Sequence, residues 1–435
     1  MIRQALARCL HRLKSRGARR VLPSFNEQRV GIDCFELEGL EHLIRVGHLA
    51  ADSAVELEVD CEPGPDGGSV LVGRKAGPPR HRLIAPAGEL VRYGLRVHQA
   101  LLPPGVIRLR AQIGSDRWSG KAIVPTRSSR AAAWAEACRE HGTPVLFCGP
   151  CDASAYPYAR SDLLPWFDRP DAHATIDAWQ HTARINAAQA GQLRQFVDQG
   201  YLEIESAFDP ALVAAARAQL LQAAAQGHQG FVPGSSMRLE QLHRPASPIR
   251  QLWLNQACRS WIERLFDGPA RPVQTLGFVN GSQQDPHQDT IHLTPFPAGY
   301  MCGLWIPLED VQPGSGELLV YPGSHRRPRL RMGDLACPKV QDQDWGAFGR
   351  QVVPVWQGWS AEQEPVAYRP RAGSALIWHE NLLHAGSPRR DTRLSRCSVV
   401  IHYYAADAVA YADSTGEPAM AASEQDLRTA SSPFS

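Results

Sequence analysis

Ser374-Ala-Leu-Ile-Trp378-His-Glu-Asn-Leu-Leu-His384 is an apolar, strand-like run that follows Gly373 as a turn and ends on a histidine. Upstream lies Pro286-His287-Gln288-Asp289. Strand side chains alternate, so His287 and Asp289 project to one face and can grip a single ion. Both stretches sit in a part of the chain that reads as β-rich from about Phe266 to about Tyr404. Two imidazoles and one carboxylate on one side of a metal leave three coordination positions open, which suits Fe(II) oxygen chemistry. Chance supplies an HxD pair often, and a later histidine is usually a core or surface residue. The surrounding sequence therefore has to carry the assignment.

Working upstream, Gln192 opens a helix, strand, helix entry. It consists of a helix from Leu193 to Asp198, the run Tyr201-Leu-Glu-Ile-Glu, and Asp209-Pro as an N-cap and N1 pair opening an Ala-rich helix to about Gln226. A further helix is expected around Gln251 to Phe266. Residues 31–125 read as a small β-sandwich-like accessory domain. Val55-Glu-Leu-Glu-Val59, Ser69-Val-Leu-Val72, Leu90 to Val97 and Val106 to Ile113 alternate or cluster apolar residues between Gly and Pro turns. Residues 126–190 read as a connector with a helix from Arg130 to His141 and a Pro- and aromatic-rich piece from Tyr156 to Pro170. Residues 405–435 are small and polar, the composition of a disordered tail.

The 435 residues allow two domains, each with its own core. The formal charge of +2 comes from acids and bases mixed along most of the chain, which argues against a nucleic-acid partner and for a small-molecule or glycan substrate. Ten scattered cysteines are too dilute for a disulfide scaffold. Cys148-Gly-Pro-Cys151 is a close pair, but a structural zinc site needs a second ligand pair, and none is evident.

No apolar run approaches the roughly 20 residues that span a bilayer, and the N-terminus lacks the apolar stretch of a secretory signal, so a cytoplasmic protein is expected. The segment 1–30 carries seven Arg and Lys residues and no acid before Val21, while Ile2, Leu6, Leu10 and Leu13 recur at helical spacing. It reads as a helix packing its Leu stripe on a neighbouring domain, or as a basic amphipathic helix that makes peripheral contact with anionic lipid. An organelle transit peptide is a third reading.

Over roughly residues 192–404 the sequence resembles the phytanoyl-CoA dioxygenase family of Fe(II)/2-oxoglutarate oxygenases. The resemblance runs through His287-Gln288-Asp289, Cys302-Gly-Leu-Trp305-Ile-Pro-Leu-Glu309, Gly316-Glu-Leu-Leu-Val-Tyr-Pro-Gly-Ser-His325 and Leu383-His384. It implies a mainly β fold with flanking helices, in which residues 191–404 form a double-stranded β-helix of the jelly-roll or cupin type beside the smaller N-terminal domain. It further implies that His287, Asp289 and His384 bind Fe(II), and that 2-oxoglutarate and O2 are consumed to hydroxylate a C–H bond with release of succinate and CO2. The family's cosubstrate arginine follows the distal histidine. Arg396, six residues before His402, resembles that register, with Arg393 as the second candidate in the turn. Gln288 and Trp305 fall at positions that contact the cosubstrate in the family.

A planar guanidinium suits the second carboxylate of 2-oxoglutarate, which it can bind bidentately. His325 reads as a structural hydrogen-bonding residue, since a fourth ligand would crowd out oxygen. The long segment from Arg326 to Arg371 and the stretch Pro233 to His243 read as lids, with Arg238, Gln241, His243 and His292 as substrate-side residues. Asp289 occupies the position that related halogenases leave to a small residue, which argues against halogenation. Desaturation, ring formation, an inactive jelly-roll binding module, and a metal-dependent isomerase or hydrolase are the competing readings. A lipid- or glycan-linked substrate is the expectation raised by the added domain and the basic N-terminus.

Overall fold

The computed structural model describes strands between residues 30 and 124, the helix 129–141, and residues 160–418 apart from 233–236 and 244–246. The basic segment 1–20, the Cys148/Cys151 pair, the strand expected at Ser69 to Val72, and residues 419–435 lie outside the described residues. The chain divides into two compact units, one comprising residues 1–157 with 416–418 and the other built on residues 158–415.

In the first unit the strands are β1 (Val30–Glu38), β2 (Glu41–Leu49), β3 (Leu57–Glu62), β4 (Leu90–His98), β5 (Gly105–Ile113) and β6 (Asp116–Val124). They form two three-stranded antiparallel sheets, ordered β1-β2-β4 and β3-β5-β6. Helix α1 (Ser129–His141) follows, with Trp134 and Ala137 buried.

The second unit opens with residues expected to be a connector. They instead belong to its core: Trp166, Phe167, Ile176 and Ile185 are buried there. Helix α2 (Ala172–His181) leads to α3 (Ala187–Gln199), which starts at an Asn186/Gln189 capping box and stops at Gly200 in the left-handed region (φ 84°). Strand β7 (Tyr201–Ile204) follows, and then α4 (Pro210–Ala225), whose N-cap Asp209 accepts from the Ala211 and Leu212 N–H groups. The single helix expected from Gln251 to Phe266 is two, α5 (Pro248–Trp253) and α6 (Gln256–Phe266). Asn255 breaks them, because its side chain accepts from Cys258 N and caps the second helix.

The remaining strands are β8 (Leu239–Glu240), β9 (Ala270–Phe278), β10 (Thr294–Phe296), β11 (Met301–Pro307), β12 (Leu318–Val320), β13 (Val366–Tyr368), β14 (Ala375–His379), β15 (His384–Gly386), β16 (Ser398–Ala405) and β17 (Val409–Ala412). The main sheet is antiparallel, in the order β7-β14-β11-β16-β9-β8, and a smaller sheet runs β13-β12-β15. Both faces of the main sheet are covered, which is why its strands read as continuous apolar runs. Leu304, Ile306, Ala375, Ile377, Val399 and Ile401 pack on the helices. Their alternates Trp305, Leu376, Trp378 and Val400 pack toward Leu318 and Val320 of the smaller sheet.

Helices α7 (Gly346–Gln351) and α8 (Val353–Ala361) belong to the long insertion, which forms its own apolar cluster around Met332, Phe348, Val352 and Trp356. The chain after Tyr404 is not a tail from Ala405 onward. Strand β17 pairs with β10, Tyr411 is fully buried, and buried Asp413 takes Lys339 at 2.5 Å and the Met332 N–H at 2.7 Å.

Candidate metal centre

His287 and His384 are brought together by an isolated antiparallel bridge. The His287 N–H donates to His384 O at 3.0 Å, and the His384 N–H returns to His287 O at 3.1 Å. Gln288 is extended (φ −104°, ψ 137°), so His287 and Asp289 share a face as alternation requires, although Asp289 itself opens a 3-10 turn rather than continuing a strand. Nε2 of His287 and of His384 lie 3.9 and 3.8 Å from Asp289 Oδ1. One donor atom from each of the three residues falls within 4.8 Å of the others. A single ion with bonds of about 2.1 Å joins these donors after a closure of about 1 Å.

The imidazoles are prepared for such an ion. His287 Nδ1 lies 2.7 Å from Asp285 O and His384 Nδ1 lies 3.0 Å from Leu382 O. Each Nδ1–H therefore donates to a carbonyl, leaving Nε2 as a bare lone pair toward Asp289. Burial, with His384 close by, pushes the His287 pKa down to about 3, which keeps the ring neutral.

The second oxygen of Asp289 faces elsewhere. The Trp378 indole N–H donates to Oδ2 at 2.8 Å. His402 Nε2 stands 3.4 Å from Oδ2, an ion-pair distance, and its Nδ1 lies 3.1 Å from the Gln274 amide nitrogen. Trp378, Gly303 and His402 are direct partners across β14, β11 and β16, so the indole and the imidazole form one row beneath Asp289. The role of His402 is not legible in the sequence, where the residue serves only to set the register of Arg396. Its signal is its place on the face shared by Arg396, Ser398 and Val400.

Arg396 is 2% exposed and lies against Trp305, with its guanidinium carbon 5.4 Å from the ring centroid. Nε donates to Gly316 O at 2.8 Å and Nη1 to Ser398 Oγ at 2.7 Å. Among the described residues no carboxylate lies within ion-pair distance of it. Burial pulls its pKa down to about 10, against the nearby Cys397, Glu317 and Glu309, and the group still carries a proton at neutral pH. A buried cation held only by a carbonyl and a hydroxyl calls for an anion.

The other two cosubstrate candidates are placed differently. Arg393 has a side chain 89% exposed and pairs with Asp391 at 2.8 Å, outside the cavity, because it belongs to the 391–394 turn rather than to β16. Gln288 turns its amide away from the cavity. The amide donates to Pro328 O and Asn381 O at 3.3 and 3.2 Å and accepts from Trp356 Nε1 at 3.3 Å, which ties the insertion to the segment carrying His287 and Asp289. The same alternation that aims His287 and Asp289 inward sends Gln288 outward.

The triad, Trp305, Trp378, Arg396 and His402 line one cavity of about 670 Å³. Met237 and Arg238, and Gln343, Trp345 and Phe348 from the insertion, line it as well. Of the remaining substrate-side candidates His292 lines it, its pKa pushed down to about 4 by burial, whereas Gln241 and His243 do not. His243 stacks on Trp253 with centroids 4.2 Å apart and lies 3.0 Å from Thr275 Oγ1. His325 is a structural residue, with Nε2 lying 3.1 Å from Val197 O and away from the triad.

Residues 196–397 match the family model for phytanoyl-CoA dioxygenase (PhyH). The likeness to that family is confined to this stretch of the chain. Phytanoyl-CoA dioxygenase domain-containing protein 1 of Mus musculus is 30% identical over 122 residues, covering 28% of this chain and 39% of the mouse protein. The matched stretch thus spans about two fifths of that curated relative. Among solved structures, the epimerase SnoN in complex with Fe3+, alpha ketoglutarate and nogalamycin RO is 20% identical, covering 55% of this chain and 97% of its own at a TM-score of 0.42. EctD from S. alaskensis with bound Fe is 19% identical, covering 51% and 77% at a TM-score of 0.39. The matched stretch contains the whole His287, Asp289 and His384 cluster and Arg396. Among the described residues no helix is long and apolar enough to cross a membrane.

Proposed function

We propose that the chain is a non-haem Fe(II)- and 2-oxoglutarate-dependent dioxygenase with a double-stranded β-helix at its centre, hydroxylating a C–H bond of its substrate. One observation carries the reading. Two imidazoles and a carboxylate converge in the same cavity as a buried arginine that has no carboxylate partner among the described residues.

In this reading His287, Asp289 and His384 hold Fe(II), and Arg396 receives the far carboxylate of 2-oxoglutarate with Trp305 against its guanidinium. When bound, iron and 2-oxoglutarate activate O2, so that substrate, 2-oxoglutarate and O2 become hydroxylated substrate, succinate and CO2. The polypeptide contributes orientation and dryness. Trp305, Leu318 and Val400 give the inner wall an apolar lining, and the carbonyl partners of both Nδ1 atoms fix the imidazole planes. The carboxylate at position 289 supports hydroxylation over halogenation, because it fills the place a halide would need.

Met237 and Trp345, which are 52% and 39% exposed, line the cavity with Arg238, and the substrate enters on that side. Large apolar side chains left in water at a cavity mouth mark a surface that something apolar covers. This supports a small molecule with an apolar or planar body, including a lipid- or glycan-linked one.

Succinate formation tests the assignment. Purified full-length protein with Fe(II), 2-oxoglutarate and O2 releases succinate, and Asp289→Ala does not. Turnover that needs neither O2 nor 2-oxoglutarate would move the chain to the isomerase or hydrolase class. Metabolite profiling of a deletion strain then names the substrate.

A further inference from the structure

The metal reading assigns Asp289 as a ligand, but it does not say why a flexible carboxylate should offer one oxygen rather than two. The cavity wall supplies the reason. Oδ1 is the oxygen that faces both imidazoles, at 3.9 and 3.8 Å, while Oδ2 accepts the Trp378 indole N–H at 2.8 Å. The indole reaches Oδ2 by lying flat across Gly303, its direct partner on the neighbouring strand, where even a Cβ would come within 2.6 Å of the indole nitrogen. Trp378 is 2% exposed, and its N–H has its hydrogen bond in this carboxylate.

We propose that Trp378 is a positioning residue that makes Asp289 a one-oxygen ligand, its N–H holding Oδ2 so that Oδ1 alone turns to the metal. The inference rests on the metal reading above and adds what that reading lacks, the device that sets denticity. A carboxylate free to swing would close over the ion with both oxygens and fill one of the positions that oxygen and cosubstrate need. A tryptophan that only filled space would be replaced by phenylalanine without consequence for the ion. One whose N–H orients a ligand would not.

The experiment compares the wild-type full-length chain with Trp378→Phe, which keeps a ring over Gly303 and removes the N–H. Mn(II) binding to the metal-free proteins is measured by calorimetry, the Co(II)-loaded visible spectrum is recorded, and the melting temperature of the metal-free proteins is taken. The expected result is Mn(II) binding weakened about 10- to 100-fold with an altered Co(II) spectrum and a melting temperature within about 2 °C of wild type. Equal Mn(II) affinity and an unchanged Co(II) spectrum overturn the proposal while leaving the metal reading intact. Failure of the wild-type protein to bind Mn(II) overturns both.

Should the Trp378→Phe variant not fold, the hydrogen bond itself can be observed from the indole side. In protein carrying 15N-labelled tryptophan, one hydrogen-bonded indole N–H signal among the eleven tryptophans moves upfield in Asp289→Ala. If no indole signal moves, the hydrogen bond and the proposal with it are absent.

Discussion

Gly303 on β11 and Trp378 on β14 are cross-strand partners, and a methyl group on Gly303 would lie 2.1 Å from the indole ring. Gly303→Ala therefore forces the ring off its place beneath Asp289. Overpacking at such a site costs about 1–3 kcal/mol. Urea unfolding of the metal-free protein should register that loss, and calorimetry should register weaker Mn(II) binding. Unchanged values for both would mean that the sheet accommodates the methyl group without moving the indole.

Arg396 and Arg393 are three residues apart, yet only the first lines the cavity. Arg396→Gln keeps a hydrogen-bonding group and removes the cation, and 2-oxoglutarate binding is expected to weaken by about 10- to 100-fold, as befits a lost charge-assisted bidentate contact. Arg393→Ala, at a side chain 89% exposed, should leave it unaltered. Fluorescence titration of 2-oxoglutarate into the Mn(II)-loaded proteins separates the two.

Glu317 makes stability depend on acid. Burial would raise its pKa, but its own N–H, the Gly314 N–H, the Ser387 hydroxyl and Arg369 bind the charged form and bring it down to about 2. A carboxyl depressed on folding stabilises the native state above its unfolded pKa of about 4.3, and that contribution is lost as pH falls toward the folded value. Wild type should thus lose about 1–3 kcal/mol relative to Glu317→Gln between pH 5 and pH 2. Equilibrium unfolding of both proteins across that range checks the sign, since parallel curves would exclude the linkage.

Arg329 joins the segment before α2 to the region around Asp289. It donates to Asp168 at 2.6 Å and to Glu380 at 2.7 Å, and Glu380 O in turn accepts the Thr290 N–H at 3.1 Å, next to Asp289. Arg329→Met leaves two acids in a poorly solvated pocket without their cation, with an expected loss of about 3–5 kcal/mol. Thermal unfolding measures it. A loss under about 1 kcal/mol would show that the acids simply take up protons or water.

Much of the second unit is legible in the sequence because local chemistry and burial agree. The Asp209-Pro pair caps α4, and β11 and β14 read as apolar runs because helices cover one face and the smaller sheet the other. His287, Asp289, His384 and Arg396 are legible from motif order, and the structure brings all four to one cavity. What escapes depends on distant parts of the chain. Asp168 reads as linker until Arg329 and His379 are seen beside it, and β17 reads as tail until β10 offers it a partner. Trp378 looks like ordinary strand core, since nothing local announces that its N–H meets Asp289. Gln288 is assigned to the cosubstrate by the family resemblance alone, whereas strand alternation turns its amide outward to Asn381 O.

The most direct test is an anaerobic titration of the purified chain with Fe(II) followed by 2-oxoglutarate. A metal held by two imidazoles and one carboxylate oxygen keeps adjacent positions for a chelating keto acid, so a visible charge-transfer band should grow in to one equivalent and be absent in Asp289→Ala. A wild-type chain that binds Fe(II) but develops no such band on adding 2-oxoglutarate would contradict the account.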